Sequence, residues 1–144
     1  MKVEGVDHIH IAVNDLDKAS KFFCDLFSTQ PAQVKEDPEF GFKWQFLPLG
    51  NVVIELMQAT SPNSPIGQFL KNRIGAVHAL SIKVPDIEKA IVEMQSKGLQ
   101  LVSRAYVGGI KEAHFHPKDT FGFMIELVEH KGKTGGTIQA QDEK

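Results

Sequence analysis

Three side chains of the kind that bind metals or move protons stand in segments that otherwise have the character of buried strands. His8 lies in an alternating apolar segment, and Glu55 and Glu126 each stand between an isoleucine and a leucine. A carboxylate in such a segment is costly to bury unless it is paired, bound to a metal or solvated in a cavity. Glu55 and Glu126 are 71 residues apart in two similar segments. We therefore predict one shared site, because an imidazole with carboxylates is a ligand set for divalent zinc, manganese, cobalt, nickel or iron.

Each of these residues also has a purely structural interpretation. A lone histidine on a strand is more often a hydrogen-bonded structural residue than a ligand. Glutamates commonly face solvent on the open side of an antiparallel sheet. His8 alone favours the structural interpretation, and only its combination with Glu55 and Glu126 favours a metal site.

The elements that must position these residues repeat with the same offset. Residues 6–13 and 80–84 alternate like strands, and each strand precedes a helical pattern that Asp15 or Asn14 can cap in the first half and Asp86 in the second. Further strands are predicted near residues 44–49 and 51–57, irregularly within 31–40, and near 99–105, 111–116 and 121–128. The predicted fold class is α+β, with two tandem βαβββ modules at about 4–58 and 75–129 in a single domain spanning residues 1–144.

Composition limits the classes of partner. With 42% hydrophobic residues, 24% charged residues and a formal net charge of −2, the chain is typical of an ordinary folded protein and an unlikely binder of nucleic acid. No stretch approaches the roughly 18 apolar residues of a membrane span, so we expect no membrane partner and a cytoplasmic location.

Cys24 is predicted to be a small buried hydrophobe rather than a nucleophile. Residues 59–66 are predicted to be a loop between the halves, and residues 131–144 a polar tail.

Several segments together resemble the methylmalonyl-CoA epimerase family, a branch of the vicinal oxygen chelate superfamily that also contains glyoxalases, bleomycin-resistance proteins and dioxygenases. The resemblance covers about residues 4–129. The segments that carry it are VDHIHIAV (6–13), FLPLGN (46–51), IEL (54–56), SPI (64–66), FL (69–70), HPKDT (116–120) and IEL (125–127).

This resemblance implies an open, curved mixed sheet around a cavity, with a divalent metal held by the first and last strand of each half. Carried over by position, the ligands are His8, Glu55, Glu126 and the residue that matches His8 in the second half. In this family the metal is expected to chelate thioester and carboxylate oxygens and stabilise the enolate formed when the C2 proton leaves, with Glu126 as a base. A homodimer and a CoA thioester substrate are also implied.

The chain departs from the family pattern at two places. The residue 71 positions after His8 is Ala79, so the fourth ligand position is vacant, and whether any metal binds is left open. The strand after Gly41 has no carboxylate where the family often has a second acid, and Trp44 lies there instead. We therefore expect Trp44 and Ala79 to line the substrate cavity.

Two histidines, His10 and His114, are not typical of the family pattern. We expect His10 to line the cavity. His114 is predicted to face the cavity as a replacement ligand or a general base, although a surface or second-shell histidine is an equal alternative.

The predicted function is that of a metal-dependent epimerase or isomerase of a carboxylated acyl-CoA substrate, with Glu126 and His114 as catalytic residues. One alternative is a divergent lyase, hydratase, decarboxylase or dioxygenase on another small oxygenated substrate, because fold alone does not determine function. The other is a non-catalytic small-molecule binder, which the vacant ligand position would permit.

Overall fold

The computed structural model describes residues 1–132, so most of the predicted polar tail lies outside the described residues. Within the described range the elements follow the order βαβββ, a linking helix, and βαβββ again, with a single turn of 3₁₀ helix (Pro117–Asp119) between the last two strands. They are β1 (Gly5–Val13), α1 (Leu16–Phe27), β2 (Lys35–Asp37), β3 (Phe42–Leu49), β4 (Val52–Ala59), α2 (Pro65–Leu70), β5 (Gly75–Lys83), α3 (Ile87–Ser96), β6 (Leu101–Val107), β7 (Ile110–Phe115) and β8 (Met124–Glu129). The element order matches the predicted pair of βαβββ modules.

The chain divides into two compact units that do not coincide with halves of the sequence. Unit 1 comprises Met1–His8 and the residues from Ala79 onward, and unit 2 comprises Ile9–His78. Strands β1 and β5 each continue from one unit into the other, so both contribute residues to both units. The module boundaries at 4–58 and 75–129 stay a prediction.

Unit 2 is built on the antiparallel strands β2, β3 and β4. Helix α1 begins after Asp15, whose side chain accepts a hydrogen bond from the Lys18 N–H at 3.0 Å. Its apolar stripe packs on one face of the strands, as the helical period predicts. The buried members of this core are Val13, Leu16, Leu47, Ile54 and Leu56.

The segment predicted as a loop ends in a helix that sequence reasoning did not find. Helix α2 has Ser64 as its N-cap and Pro65 in its first turn, and its Ile66 and Leu70 side chains are buried. The serine, proline and asparagine residues before it are typical of turns and led to the loop prediction, although serine followed by proline is also a helix-start signal. Gly67 is required for the close approach of α2 to the preceding turn, because a Cβ there would lie 2.5 Å from the Ser61 carbonyl oxygen.

Unit 1 has the strand order β5-β8-β7-β6, with β5 and β8 parallel and the other two pairs antiparallel. Helix α3 begins after Asp86, which caps it as Asp15 caps α1. One face of these strands packs against α3 through a core whose buried members are Val84, Ile87, Ala90, Ile91, Met94, Ala113, Phe115 and Leu127. Because strand side chains alternate, Glu126 and His114 lie on the opposite face from their neighbours Leu127 and Ala113.

None of the helices within residues 1–132 has the length and apolar character that a membrane-spanning helix requires.

Candidate metal and acid–base site

Glu126 is the central residue of the polar face of unit 1. It is 2% exposed and lies on β8 directly between Ser81 of β5 and His114 of β7. The Ser81 hydroxyl donates to Oε1 of Glu126 at 2.6 Å, and Nε2 of His114 lies 2.8 Å from Oε2. Each carboxylate oxygen therefore has a partner from a different flanking strand, which offsets the cost of burying the acid.

His8 approaches the same carboxylate from β1. Its Nε2 lies 3.3 Å from Oε1 of Glu126, and its Nδ1 lies 2.8 Å from Oδ2 of Asp7. The other oxygen of Asp7 lies 2.7 Å from Nε2 of His130. Asp7 is fully buried, and the side chains of His8 and His130 are 3% and 4% exposed. Unit 1 thus contains one continuous polar row that runs from His130 through the buried Asp7, His8 and Glu126 to the half-buried His114.

A β-bulge extends this row to β6. The β6–β7 register pairs Leu101 with Phe115 but Ser103 with His114, so β6 advances two residues where β7 advances one. Such a bulge re-aims a side chain that would otherwise follow the alternation of its strand. As a result Ser103 shares the polar face, and its hydroxyl oxygen lies 3.1 Å from Nδ1 of His114.

The donor set on this face fits a divalent transition-metal ion. Glu112, two residues before His114 on β7, belongs with His114 and Glu126 to a group whose ligand atoms all lie within 4.8 Å of one another. Imidazole nitrogen and carboxylate oxygen suit manganese, iron, cobalt, nickel and zinc. The carboxylate beside Nδ1 of His8 is also the support that metal-binding histidines commonly have.

The other two predicted site residues with polar side chains meet in unit 2. Glu55 is 6% exposed, and its Oε2 lies 3.4 Å from Nδ1 of His10. The same nitrogen lies 3.3 Å from the Met57 sulfur, and the His10 and His78 rings are 6.5 Å apart. Trp44 is paired with Met57 in the β3–β4 register and packs among the apolar residues around α2.

Ala79 occupies a buried position on β5, paired with Met124 of β8. It lies two residues before Ser81, so the β5 flank of Glu126 presents a hydroxyl and a methyl group. His116 organises the turn after β7, since its Nδ1 accepts the Lys118 N–H at 3.1 Å.

Sequence reasoning missed the residues that support the predicted ones. Glu112 had a detectable signal, because it shares the face of His114 at a spacing of two. Asp7 breaks the alternation of β1, and Ser103 reaches the site only through a bulge, so neither follows from strand periodicity. His130 is more than 120 positions from Asp7 and had no local signal.

Comparisons with known proteins identify the family to which the chain belongs. The family model described as the glyoxalase/bleomycin resistance protein/dioxygenase superfamily matches residues 7–116. The mitochondrial methylmalonyl-CoA epimerase of Mus musculus is 36% identical over 132 residues, covering 89% of this chain and 74% of the relative.

Two solved structures share the fold. The methylmalonyl-CoA epimerase from Mycobacterium tuberculosis superposes with a TM-score of 0.80 at 29% identity, covering 90% of each chain. A variant of the Streptomyces coelicolor epimerase in complex with 2-nitronate-propionyl-CoA has a TM-score of 0.81 at 23% identity, covering 91% of this chain and 100% of that one, and supports the fold alone. The predicted α+β fold is confirmed. The chain belongs to the glyoxalase/bleomycin resistance protein/dioxygenase superfamily and, within it, to the methylmalonyl-CoA epimerase family.

Proposed function

We propose that this protein is a metal-dependent epimerase that removes and returns the proton at C2 of a carboxylated acyl-CoA thioester. The observation that carries the proposal is the buried Glu126 carboxylate, which lies 2.8 Å from His114 Nε2 and 3.3 Å from His8 Nε2. A base for carbon acids needs this combination of a carboxylate held away from water and neighbours that can share its proton. The family relationship supplies the substrate class.

The metal ligands of the proposal are His8, Glu55 and Glu126, with Glu55 retained because of the sequence repeat. A divalent ion bound there would stabilise the negative charge that develops on the substrate oxygens when the proton leaves C2. Ser81 and His8 hold one oxygen of Glu126, and this leaves the oxygen facing His114 as the one that exchanges a proton.

Glu126 and His114 act as an acid–base pair on one face of the substrate. Because their side chains are hydrogen-bonded to each other, both approach C2 from the same direction. Inversion therefore uses a separate proton donor on the opposite face. Exchange of the C2 proton with solvent and inversion of the centre consequently report on different groups.

The test measures both reactions on metal-loaded protein with one stereoisomer of methylmalonyl-CoA in deuterium oxide. Nuclear magnetic resonance follows the loss of the C2 proton, and chiral analysis follows inversion. We expect Glu126→Gln to slow exchange by about 10²- to 10⁴-fold, the usual contribution of a general base. The exposed Asp25→Asn change in α1 is the control and should leave both rates unaltered. Metal-loaded wild-type protein that exchanges no C2 proton would contradict the proposal.

A homodimer and a cytoplasmic location belong to the same proposal. Both come from the family resemblance and from composition, and light scattering on the purified protein measures the first directly.

A further inference from the structure

We infer that Glu112, His114 and Glu126 form a divalent-cation site on the β7–β8 strand pair, in which His114 supplies the imidazole that Ala79 does not. This inference rests on the proposed function and changes its metal ligands: His114 then binds the metal through Nε2 in place of acting as the acid–base partner of Glu126. Glu126 is the only residue that it shares with the ligand set predicted from the repeat.

The geometry of the strand pair brings the three ligand groups together. His114 lies directly opposite Glu126 in the antiparallel register, and Glu112 lies opposite Val128, so all three side chains are on one face. Their ligand atoms lie within 4.8 Å of one another. Small side-chain rotations can bring such a group to the roughly 2.0–2.2 Å distances at which nitrogen and oxygen bind first-row divalent metals.

The position of His114 explains how β7 can supply the imidazole ligand that was predicted for β5. Glu126 has two flanking strands, β5 on one side and β7 on the other. On the β5 side this chain has Ala79 and Ser81, neither of which carries an imidazole. On the β7 side His114 is already in contact with the carboxylate at 2.8 Å. The imidazole that β5 does not provide is therefore supplied by β7, and Glu126 remains the shared ligand.

Ser103 gives His114 the orientation that a ligand needs. When Nε2 binds a metal, the imidazole proton is on Nδ1, and the Ser103 hydroxyl oxygen, 3.1 Å from Nδ1, is placed to accept it. The serine reaches this position only because of the bulge between Leu101 and Ser103.

Charge also favours a cation at this position. A divalent cation would complement two carboxylates, and an imidazole with carboxylates is a donor set that such ions bind. Glu126 is buried, and Glu112 and His114 are half-buried, so solvent would screen their attraction to a bound cation only partly.

The experiment titrates Co²⁺ into the metal-free, full-length protein and records visible absorption together with the paramagnetically shifted imidazole N–H resonances. We expect wild-type protein to bind one equivalent. His114→Phe should lower the affinity at least 10-fold and remove one shifted imidazole resonance. Glu112→Gln should lower the affinity to a similar extent while keeping that resonance. Ser103→Ala should keep the shifted imidazole resonance of His114 but speed the exchange of that N–H proton with solvent.

His116→Ala is the matched control, because this histidine lies on the same segment and should leave both readouts unaltered. Circular dichroism and thermal unfolding establish that each variant is folded. Phenylalanine at 114 preserves an aromatic ring of similar size, and Glu112→Gln is nearly isosteric, so at least one variant tests the site in a folded protein.

Two results would overturn the inference: wild-type protein that binds no cobalt, or unchanged cobalt affinity in both His114→Phe and Glu112→Gln. In the second case, loss of binding in Glu55→Gln would identify the ligand set predicted from the repeat. Failure of the proposed function is distinguishable, because a protein that binds cobalt through His114 but exchanges no C2 proton keeps this site and loses the epimerase assignment.

Discussion

At the scale of single residues, the protein maintains a carboxylate in a buried position by surrounding it with specific partners. Glu126 contacts a serine, two histidines and, through His8, the Asp7–His130 pair. A buried charge with one partner removed is expensive, typically several kcal/mol, so each neighbour of Glu126 affects stability as well as chemistry. Substitutions of the residues that support Glu126 therefore test the site as directly as substitutions of Glu126 itself.

Asp7→Asn tests this support. The asparagine amide offers one acceptor and one donor group in place of two acceptors, so one of the imidazoles of His8 and His130 loses its partner. We expect the free energy of unfolding to fall by about 1–3 kcal/mol, measured by urea denaturation. The affinity for Co²⁺ should fall about 10- to 100-fold if Asp7 positions a ligand histidine.

Asp25→Asn, at an exposed position, is the control for the loss of a carboxylate. A destabilised Asp7→Asn protein with wild-type cobalt affinity would limit Asp7 to a structural role and show that His8 is not oriented through it.

At the scale of elements, the last residue of β8 connects the sheet of unit 1 to helix α3. The carboxylate of Glu129 accepts the Ile87 N–H at 2.8 Å, at the first residue of α3, and pairs with Lys111 of β7 at 2.8 Å. The Ile87 N–H and then the Lys111 ammonium hold the pKa of the Glu129 carboxyl below its usual value. A carboxylate at a helix N-terminus also interacts favourably with the helix dipole.

Glu129→Gln should therefore destabilise the protein in a pH-dependent way. Because the pKa is lower in the folded state, the ionised carboxylate stabilises the fold fully above its unfolded pKa of about 4.3, and the contribution is lost as the pH falls through the lower, folded value. We expect the difference in unfolding free energy between wild type and Glu129→Gln to be on the order of 1 kcal/mol at pH 7 and to shrink below about pH 4.5. Urea denaturation at a series of pH values measures it.

Glu36→Gln, an exposed position on β2, corrects for the general effect of removing an acid. A difference between wild type and Glu129→Gln that stays constant down to pH 3 would mean that the carboxylate charge does not stabilise the start of α3.

At the scale of the whole molecule, the repeat places equivalent leucines in two separate cores. Leu56 on β4 and Leu127 on β8 are 71 residues apart, and both are fully buried. Leu56 packs beneath α1 in unit 2, and Leu127 packs beneath α3 in unit 1.

Leu56→Ala and Leu127→Ala should destabilise the protein to a similar extent. Each removes buried apolar atoms and leaves a cavity, which costs about 2–5 kcal/mol in urea denaturation. A loss below about 1 kcal/mol for either variant would indicate that its core collapses around the smaller side chain, and the two cores would then differ in rigidity despite the repeat. Leu26→Ala, at an exposed position of α1, is the control.

The sequence by itself determined the element order, the two capped helices and, within unit 1, the polar side of β8 on which Glu126 lies. These features depend on local periodicity and on capping chemistry, which neighbouring residues specify directly. The prediction that Ala79 leaves a ligand position vacant also came from the repeat, since it needs only a count along the chain. Residue types and spacing therefore identified the central acid, while the resemblance of several segments to a known family identified the family.

Only the tertiary structure decided which groups support that acid. The contact of His114 with Glu126 depends on the pairing of β7 with β8, and the position of Ser103 depends on a bulge that strand alternation cannot predict. The His130–Asp7 contact joins residues 123 positions apart. Helix α2 became visible only where its buried side chains pack, because its six residues are too few for a periodic signal. Long-range pairing, rather than local sequence, therefore assembled the polar row around Glu126.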